Sequence, residues 1–516
     1  MTVRRRSACR AGAMLLGMPA AAWAHAFDDR YDLPAPLSYF VAGATAAVAL
    51  SFAVTVVFAR RTPAIAPRHE RVVTLGHLAP VVTTTAGACS VALLILTVIA
   101  GLYGTRDPVM NLAPTLVWIV FWAGLSLVAA CIGNAWTFLD PWRTVFEWLH
   151  ALARRLGRKQ GIALGWRYPR ALGAWPAVAL LPAVGWVEVV YPEGAEPYRL
   201  ACIVLTWSTV TLLGSVCFGR ATWQRNVDVF AIYFATLGRF APLAAGRESH
   251  TLVVRPPGRA LTAPDAGSLA MVAFVLAMLA TVLFDGLLSG ENWWAFQAAV
   301  TRTFPLIGHR RGYVVGTLGL VGVWLLFLGA YLLSCSIAAR LAGEPRARAM
   351  MLAFALTLVP IAIAYNVAHN FSSLVIQGQQ LIPLMSDPLG KHWDLFGTAG
   401  YRTKIGIVDA RTTWYVAIGA IVAGHVVSIW LAHRVALRAP GTPRRAIAAS
   451  APLTVLMLAY TAISLSVIAE PMVKFGVPTD SATIRPPQAW RAFPSSSARC
   501  TRPASMGCCL SRTPVS

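Results

Sequence analysis

Between Ala349 and Arg434 lie two apolar stretches of membrane-spanning length, each with a histidine, and a polar loop from Ser386 to Gly397 joins them. Imidazole changes protonation near neutral pH and ligates metals, so His369 and His425 in a hydrocarbon setting point to function by default. On helical spacing Asn366, Asn370, Ser373 and Gln377 share one stripe, and Tyr365, His369 and Ser372 share its neighbour. A face of that polarity lines a cavity or pairs with another helix, since lipid offers it no partner. Hydrogen bonding between helices through Asn and His is the plainer use of such a stripe. In the following stretch Ala420, Gly424 and Ser428 form a ridge of small residues that permits close approach of a second helix, and His425 stands beside it. Antiparallel packing of the two stretches would carry His369 and His425 to similar depth.

The joining loop adds Asp387, Lys391, His392 and Asp394, followed by Asp409 and Arg411. Histidines and carboxylates together suit a divalent metal, copper or zinc, whose bound water becomes hydroxide near neutral pH. The same Ser386-Asp-Pro run reads equally well as a turn with solvated charges. The candidate catalytic residues are therefore His369, His425, Asp394 and Asn366, and the candidate metal ligands are His25, His369, His425, Asp387 and His392. His25 enters because cleavage after Ala24 would free its α-amino group beside its imidazole, two donors for one metal. Glu188 and Asp285, near the ends of other apolar segments, are further carboxylates on the same expected side, as are Asp28, Asp29 and Asp32.

The elements that must position these groups follow from composition. Hydrophobic residues are 57% of the chain and charged residues 13%, too few to cover a soluble core, so the fold class is all-α: a polytopic transmembrane helix bundle in a lipid bilayer. Apolar segments run from about Leu37 to Ala59, Ala79 to Gly104 and Leu112 to Gly133, and further ones centre on Leu180, Thr209, Leu276, Leu326, Pro360, Ala423 and Met457, roughly ten spans. Proline at 360 predicts a kink. Alternating sidedness gathers Arg60, Arg61, Arg68 and Arg71, Arg143 through Arg170, Arg220 through Arg259, Arg340 through Arg348, and Arg434 through Arg445 on one face. That asymmetry accounts for most of the net charge of +23 without any nucleic acid, and it sets the mature N-terminus on the periplasmic side of a bacterial inner membrane.

Residues 1–24 read as a signal peptide with Arg4, Arg5 and Arg6 ahead of a short apolar run and Ala22-Trp-Ala24 at its end; a retained amphipathic segment is the alternative. Residues 25–471 form the membrane domain, and 472–516, rich in Ser, Pro and Arg, form a disordered tail. Two loop segments read as interfacial amphipathic helices: one from the Asp140-Pro141 start to Gly157, the other from Val229 to Phe240. Cysteines show no metal spacing, and the phosphate-loop, zinc-protease and serine-hydrolase motifs are absent, so no nucleotide is implied.

His25-Ala-Phe-Asp-Asp-Arg-Tyr-Asp-Leu-Pro34, Tyr365-Asn-Val-Ala-His-Asn370, Ser386-Asp-Pro-Leu-Gly-Lys-His-Trp-Asp-Leu-Phe-Gly397 and Ala423-Gly-His-Val-Val-Ser428 resemble the bacterial integral-membrane proteins called fenitrothion hydrolases, over His25 to about Pro471. The resemblance implies hydrolysis of a small apolar organophosphate, an aryl phosphorothioate triester, to a nitrophenol and a dialkyl thiophosphate. It brings no assigned catalytic residues with it. The expected step is attack of a metal-bound hydroxide on phosphorus, with His and Asp as ligands or base. A membrane protein that binds or moves copper or another metal, and a structural assembly subunit, are the rival readings of the same polar stripes.

Overall fold

Long apolar runs without charge must satisfy every backbone group internally when they lie in lipid, and helices do so. In the computed structural model the chain is accordingly an all-α polytopic membrane bundle. The structure describes residues 31–58, 71–74, 76, 78–246, 251–262, 266–344, 346–438 and 443–474. The expected signal peptide, His25 and all but the first few residues of the expected tail lie outside the described residues.

The helices are α1 (Leu37–Phe58), α2 (Leu78–Tyr103), α3 (Leu112–Cys131), α4 (Pro141–Arg155), α5 (Trp175–Val189), α6 (Pro197–Phe218) and α7 (Arg220–Asn226). They continue as α8 (Val229–Gly238), α9 (Leu269–Leu288), α10 (Glu291–Thr303), α11 (Arg311–Ala342), α12 (Ala347–Ser386), α13 (Ala410–Ala436) and α14 (Pro443–Met472). Nine of these, among the described residues, are long and apolar enough to cross a membrane: α1, α2, α3, α6, α9 and α11 to α14. The most deeply packed are α9 and α12, which sit at the centre of the bundle.

Short strands supply a parity check on the number of crossings. Antiparallel pairing sets β2 (Arg71–Thr74) against β4 (Thr251–Val254), with β3 (Leu243–Ala245) on the other edge of β4. In the second sheet β1 (Tyr31–Asp32) lies parallel to β5 (Val473–Lys474). An open sheet of this kind does not sit in hydrocarbon, so paired strands share one side of the membrane. An even number of crossings therefore separates β2 from β4, whereas α2, α3 and α6 make only three. The fourth is α5, whose 15 residues reach about 22 Å. The β1–β5 pair makes the same demand on the whole chain, and nine long helices plus α5 give ten crossings. Cysteines introduced singly as Val72→Cys and Ala245→Cys are thus expected to react with an impermeant maleimide from one side, and Lys391→Cys from the other. Labelling of the first two from opposite sides would exclude α5 as a crossing.

The expected start of α4 is as read: Asp140 is extended, its Oδ1 accepts the Arg143 N–H at 3.0 Å, and Pro141 fills the first turn. Gly157, at φ +90°, follows its end. Trp142 and Phe146 face the protein while Leu149, Leu152 and Leu156 stay exposed, as an interfacial helix requires. Helix α8 differs from the expectation. Val229, Ile232, Tyr233, Phe234 and Leu237 are all buried, so α8 is a core element and not a surface anchor. Its aromatic residues meet partners on several sides: Phe230 and Phe234 pack on Phe121, Phe234 on Trp136 and Tyr233 on Trp122. A helix apolar all round is buried.

In α12 the irregularity precedes the proline. Leu356–Leu358 form a 3₁₀ turn and Pro360 sits in the first turn of the next α-helical segment, where no backbone donor is needed. The two stretches that opened the sequence reading, α12 and α13, touch along the small-residue ridge. A Cβ on Gly424 would lie 2.4 Å from Ala364 Cβ and 2.8 Å from the Pro360 carbonyl oxygen.

Candidate functional site

Three ionisable side chains that belong to different crossing helices meet inside the bundle. Asp285 is the sole charged residue of α9, His369 lies midway along α12, and Glu188 comes one residue before the end of α5. His369 Nε2 stands 2.5 Å from Asp285 Oδ2. The Glu188 carboxyl lies near enough to both to act on them electrostatically, and its Oε2 accepts the Trp122 indole N–H at 2.8 Å. In a low-dielectric interior such groups persist only when paired and hydrogen-bonded, and here each carboxylate has a donor or an imidazole. Their exposure is small but not zero, 11% for the His369 side chain and 19% for Asp285, so the pair is not sealed.

Two neutral residues complete the surroundings. Tyr233, from buried α8, stacks on Trp122 with ring centroids 4.9 Å apart and interplanar angle 21°, and its hydroxyl engages Ser126 and Asn366. Asn366 is 4% exposed, and its Oδ1 has no donor among the described residues. Trp122 reaches Glu188 because residues Thr115–Gly124 of α3 are a π-helix, closed at its end by the Leu125 N–H on the Val120 carbonyl. Such turns are rare and recur at functional sites. The same stretch points the Trp118 indole N–H at the Gly194 carbonyl, 3.1 Å away.

A second polar group lies where α12, α13 and α14 meet. His425 is fully buried, with Nδ1 2.8 Å from the Ile421 carbonyl, an arrangement that leaves the lone pair on Nε2, which has no hydrogen-bond partner among the described residues. Its ring packs on Tyr460 at 5.6 Å, and Tyr460 stacks on Tyr365 at 6.2 Å. The hydroxyl groups of both tyrosines are likewise without protein partners. The Tyr365 hydroxyl points back toward the first group, 3.7 Å from where a Cβ on Gly286 would stand.

The expected approach of His369 to His425 is not the arrangement found. Gly424 is opposite Pro360 and Ala364, and His369 lies five residues beyond Ala364, about 7.5 Å further along α12. Antiparallel register therefore sets His425 beside Tyr460 and leaves His369 to Asp285. In the loop after α12, Asp387 uses both oxygens on its own turn, accepting the Lys391 N–H at 2.8 Å and the His392 N–H at 2.7 Å. His392 takes a left-handed φ of 63° and its side chain is exposed. Asp394 accepts the Ala399 N–H at 2.9 Å. Ser386, wholly buried, holds the loop shut through the N–H groups of Phe396 and Thr398. The loop's polar residues are thus engaged in turn geometry.

The residues present do not fit the expected metal in the expected way. Among the described residues no three His, Cys, Asp or Glu side chains converge as a ligand set. The 2.5 Å contact between His369 and Asp285 leaves no room for an ion between those two atoms, and the Asp387 oxygens are committed to loop amides.

Glu188 and Asp285 were visible in the sequence only as carboxylates near span ends. Their signal was the rule that intramembrane charges seek one another, which makes the ionisable residues of the spans partners before any contact is known. Trp122, Tyr233 and Ser126 carried no such signal, because an aromatic or a serine in an apolar helix is ordinary. The chain matches no protein-family model, no curated protein and no solved structure.

Proposed function

We propose that the protein is a membrane-embedded hydrolase of apolar aryl phosphorothioate triesters, with the His369–Asp285 pair as general base. The observation that carries this reading is the 2.5 Å contact of His369 Nε2 with Asp285 Oδ2 inside the bundle, beside Glu188. A carboxylate on one imidazole nitrogen orients the ring and stabilises the imidazolium that forms when it takes a proton. Water oxygen then bonds to phosphorus, the P–O(aryl) bond breaks, the water proton passes to the pair, and nitrophenolate departs with the bonding electrons. Nitrophenolate is a good leaving group, so this base and a neutral hydrogen-bonding neighbour such as Asn366 are sufficient machinery. A triester dissolved in lipid reaches a site within the bundle without crossing water, which is the physical reason for the location. The resemblance of the Tyr365–Asn370 and Ser386–Gly397 motifs to fenitrothion hydrolases points to the same substrate class.

The test is release of nitrophenol from a nitrophenyl phosphorothioate triester by purified protein in lipid nanodiscs, with a chelator present. Turnover that survives chelation supports the metal-free pair; turnover that needs added metal discards it.

Glu188 favours a second reading. Two carboxylates and an imidazole from three crossing helices are also the groups that take up and release a cation in transit, with copper or another metal as cargo. Metal accumulation by proteoliposomes without nitrophenol release would select that reading.

A further inference from the structure

Away from this site, two helix N-termini meet through a pair of buried acids. Asp140 caps α4 and Asp228 caps α8, and they are 1% and 0% exposed. Asp140 Oδ1 accepts the Arg143 N–H, and its Oδ2 accepts the Gln224 side-chain N–H at 2.6 Å. Asp228 Oδ1 accepts the N–H groups of Phe230 and Ala231, each at 3.1 Å, while Oδ2 is shielded from solvent and has no hydrogen-bond partner among the described residues. The two carboxyl groups are close enough to repel. Just inside the two caps, Trp142 stacks on Phe230 with centroids 6.1 Å apart and interplanar angle 16°, which fixes the helix ends against each other.

Two ionised carboxylates cannot share so small a dry volume, and the atom that lacks a donor is a carboxyl oxygen, the one atom of the pair that a proton would satisfy. We propose that Asp140 and Asp228 bind one proton between them, and that this proton-binding site latches α4 to α8. The inference is independent of the hydrolytic reading.

The surroundings determine how the latch responds. Arg143 bonds Glu147 at 3.0 Å, Arg220 bonds Glu147 at 3.5 Å and Gln224 at 3.3 Å, so both nearby cations are drawn toward Glu147 and the surface. Other titratable groups on elements packed against the pair include His150, Arg154 and Arg155 on α4, Cys89 on α2, Arg199, Cys202 and Cys217 on α6, Arg225 on α7, Cys131 on α3, Tyr233 on α8, Glu188 on α5 and His369 on α12. Burial pushes the Asp228 carboxyl up to about 7, with the charge of Asp140 adding to the shift, and burial raises Asp140 as well against the N–H groups of Arg143 and Gln224. The folded-state value for Asp228 exceeds its ordinary 3.8, so the stability it contributes is complete below that value and is lost as pH rises through about 7. Loss of the proton sets two negative charges face to face and drives the caps apart.

The experiment is infrared spectroscopy of the full chain in lipid nanodiscs over pH 5 to 9, on wild type, Asp228→Asn and Asp140→Asn. Asparagine caps a helix as well as aspartate, so both variants should fold, and thermal unfolding checks that they do. The expected result is a protonated-carboxyl stretch that disappears in the wild type as pH rises through about 7 and is missing from Asp228→Asn at neutral pH. Asp140→Asn leaves Asp228 buried but takes away the neighbouring charge, so its band should disappear at a lower pH than in the wild type. Thermal stability should fall across the same interval in the wild type and stay level in Asp228→Asn. A stretch that persists in Asp228→Asn, one that survives unchanged in Asp140→Asn, or no such band in the wild type would each overturn the shared proton.

Discussion

His369→Gln is expected to lower turnover of a nitrophenyl phosphorothioate triester by about 10²- to 10⁴-fold, the usual worth of a positioned general base. Glutamine retains a hydrogen-bonding group for Asp285 and so limits the penalty of stranding a buried carboxylate, which removal to alanine would incur at about 3–5 kcal/mol. Asp285→Asn should fall within the same range, because the imidazolium formed on proton uptake then lacks its counter-charge, and the double variant should be no slower than the worse single one. Groups that act as one unit lose little more when both are gone. Progress curves on protein matched for thermal stability decide the matter. Full activity in His369→Gln would remove the pair from the chemistry, and additive losses would mean that the two residues act separately.

Gly424→Val is expected to destabilise the bundle strongly. The new Cβ would stand 2.4 Å from Ala364 Cβ and 2.8 Å from the Pro360 carbonyl oxygen, and neither neighbour is the end of a flexible side chain. Helices α12 and α13 must then separate, and overpacking of this kind costs about 1–3 kcal/mol, with backbone contact at the upper end. Gly419 on the same helix has nothing within 4 Å of its Cβ position, so Gly419→Ala serves as the control and should leave the unfolding temperature unchanged. Equal unfolding temperatures for Gly424→Val and Gly419→Ala would mean that the ridge is not a packing surface.

Local chemistry was what the sequence made legible. The span of α1 from Leu37, the Asp140-Pro141 start of α4 and the small-residue ridge at Gly424 all depend on neighbours within a few positions, and each is found where the pattern placed it. His369 and Asn366 were singled out because a polar stripe in an apolar helix has no local explanation. What their stripe faces is a tertiary question, and the answer came from α5 and α9, 181 and 84 residues earlier for Glu188 and Asp285 relative to His369. The burial of α8 was illegible for a related reason. Phe230, Phe234 and Leu237 make the same periodic pattern whether they meet lipid or Trp122 and Trp136. The crossing by α5 was already among the roughly ten spans counted from the sequence, and strands that pair far apart in the chain agree with that count.

The π-helix of α3 makes that span sensitive to length in a way that none of its residues individually would suggest. Ten residues, Thr115 to Gly124, are wound with bonds that skip one position more than an α-helix does. Excision of one of them would let the ordinary winding close, at no loss of hydropathy and with ample chain left to cross the membrane. The parts on either side of the excision would then change their angular relation, because each residue turns the chain by a different angle in the two windings. The Trp118 bond to Gly194 and the Trp122 bond to Glu188 could not both survive that rotation. In this segment reading frame along the helix is itself a constraint, and a single deletion there would disarm the site while leaving a chain that inserts, folds and looks unchanged by composition.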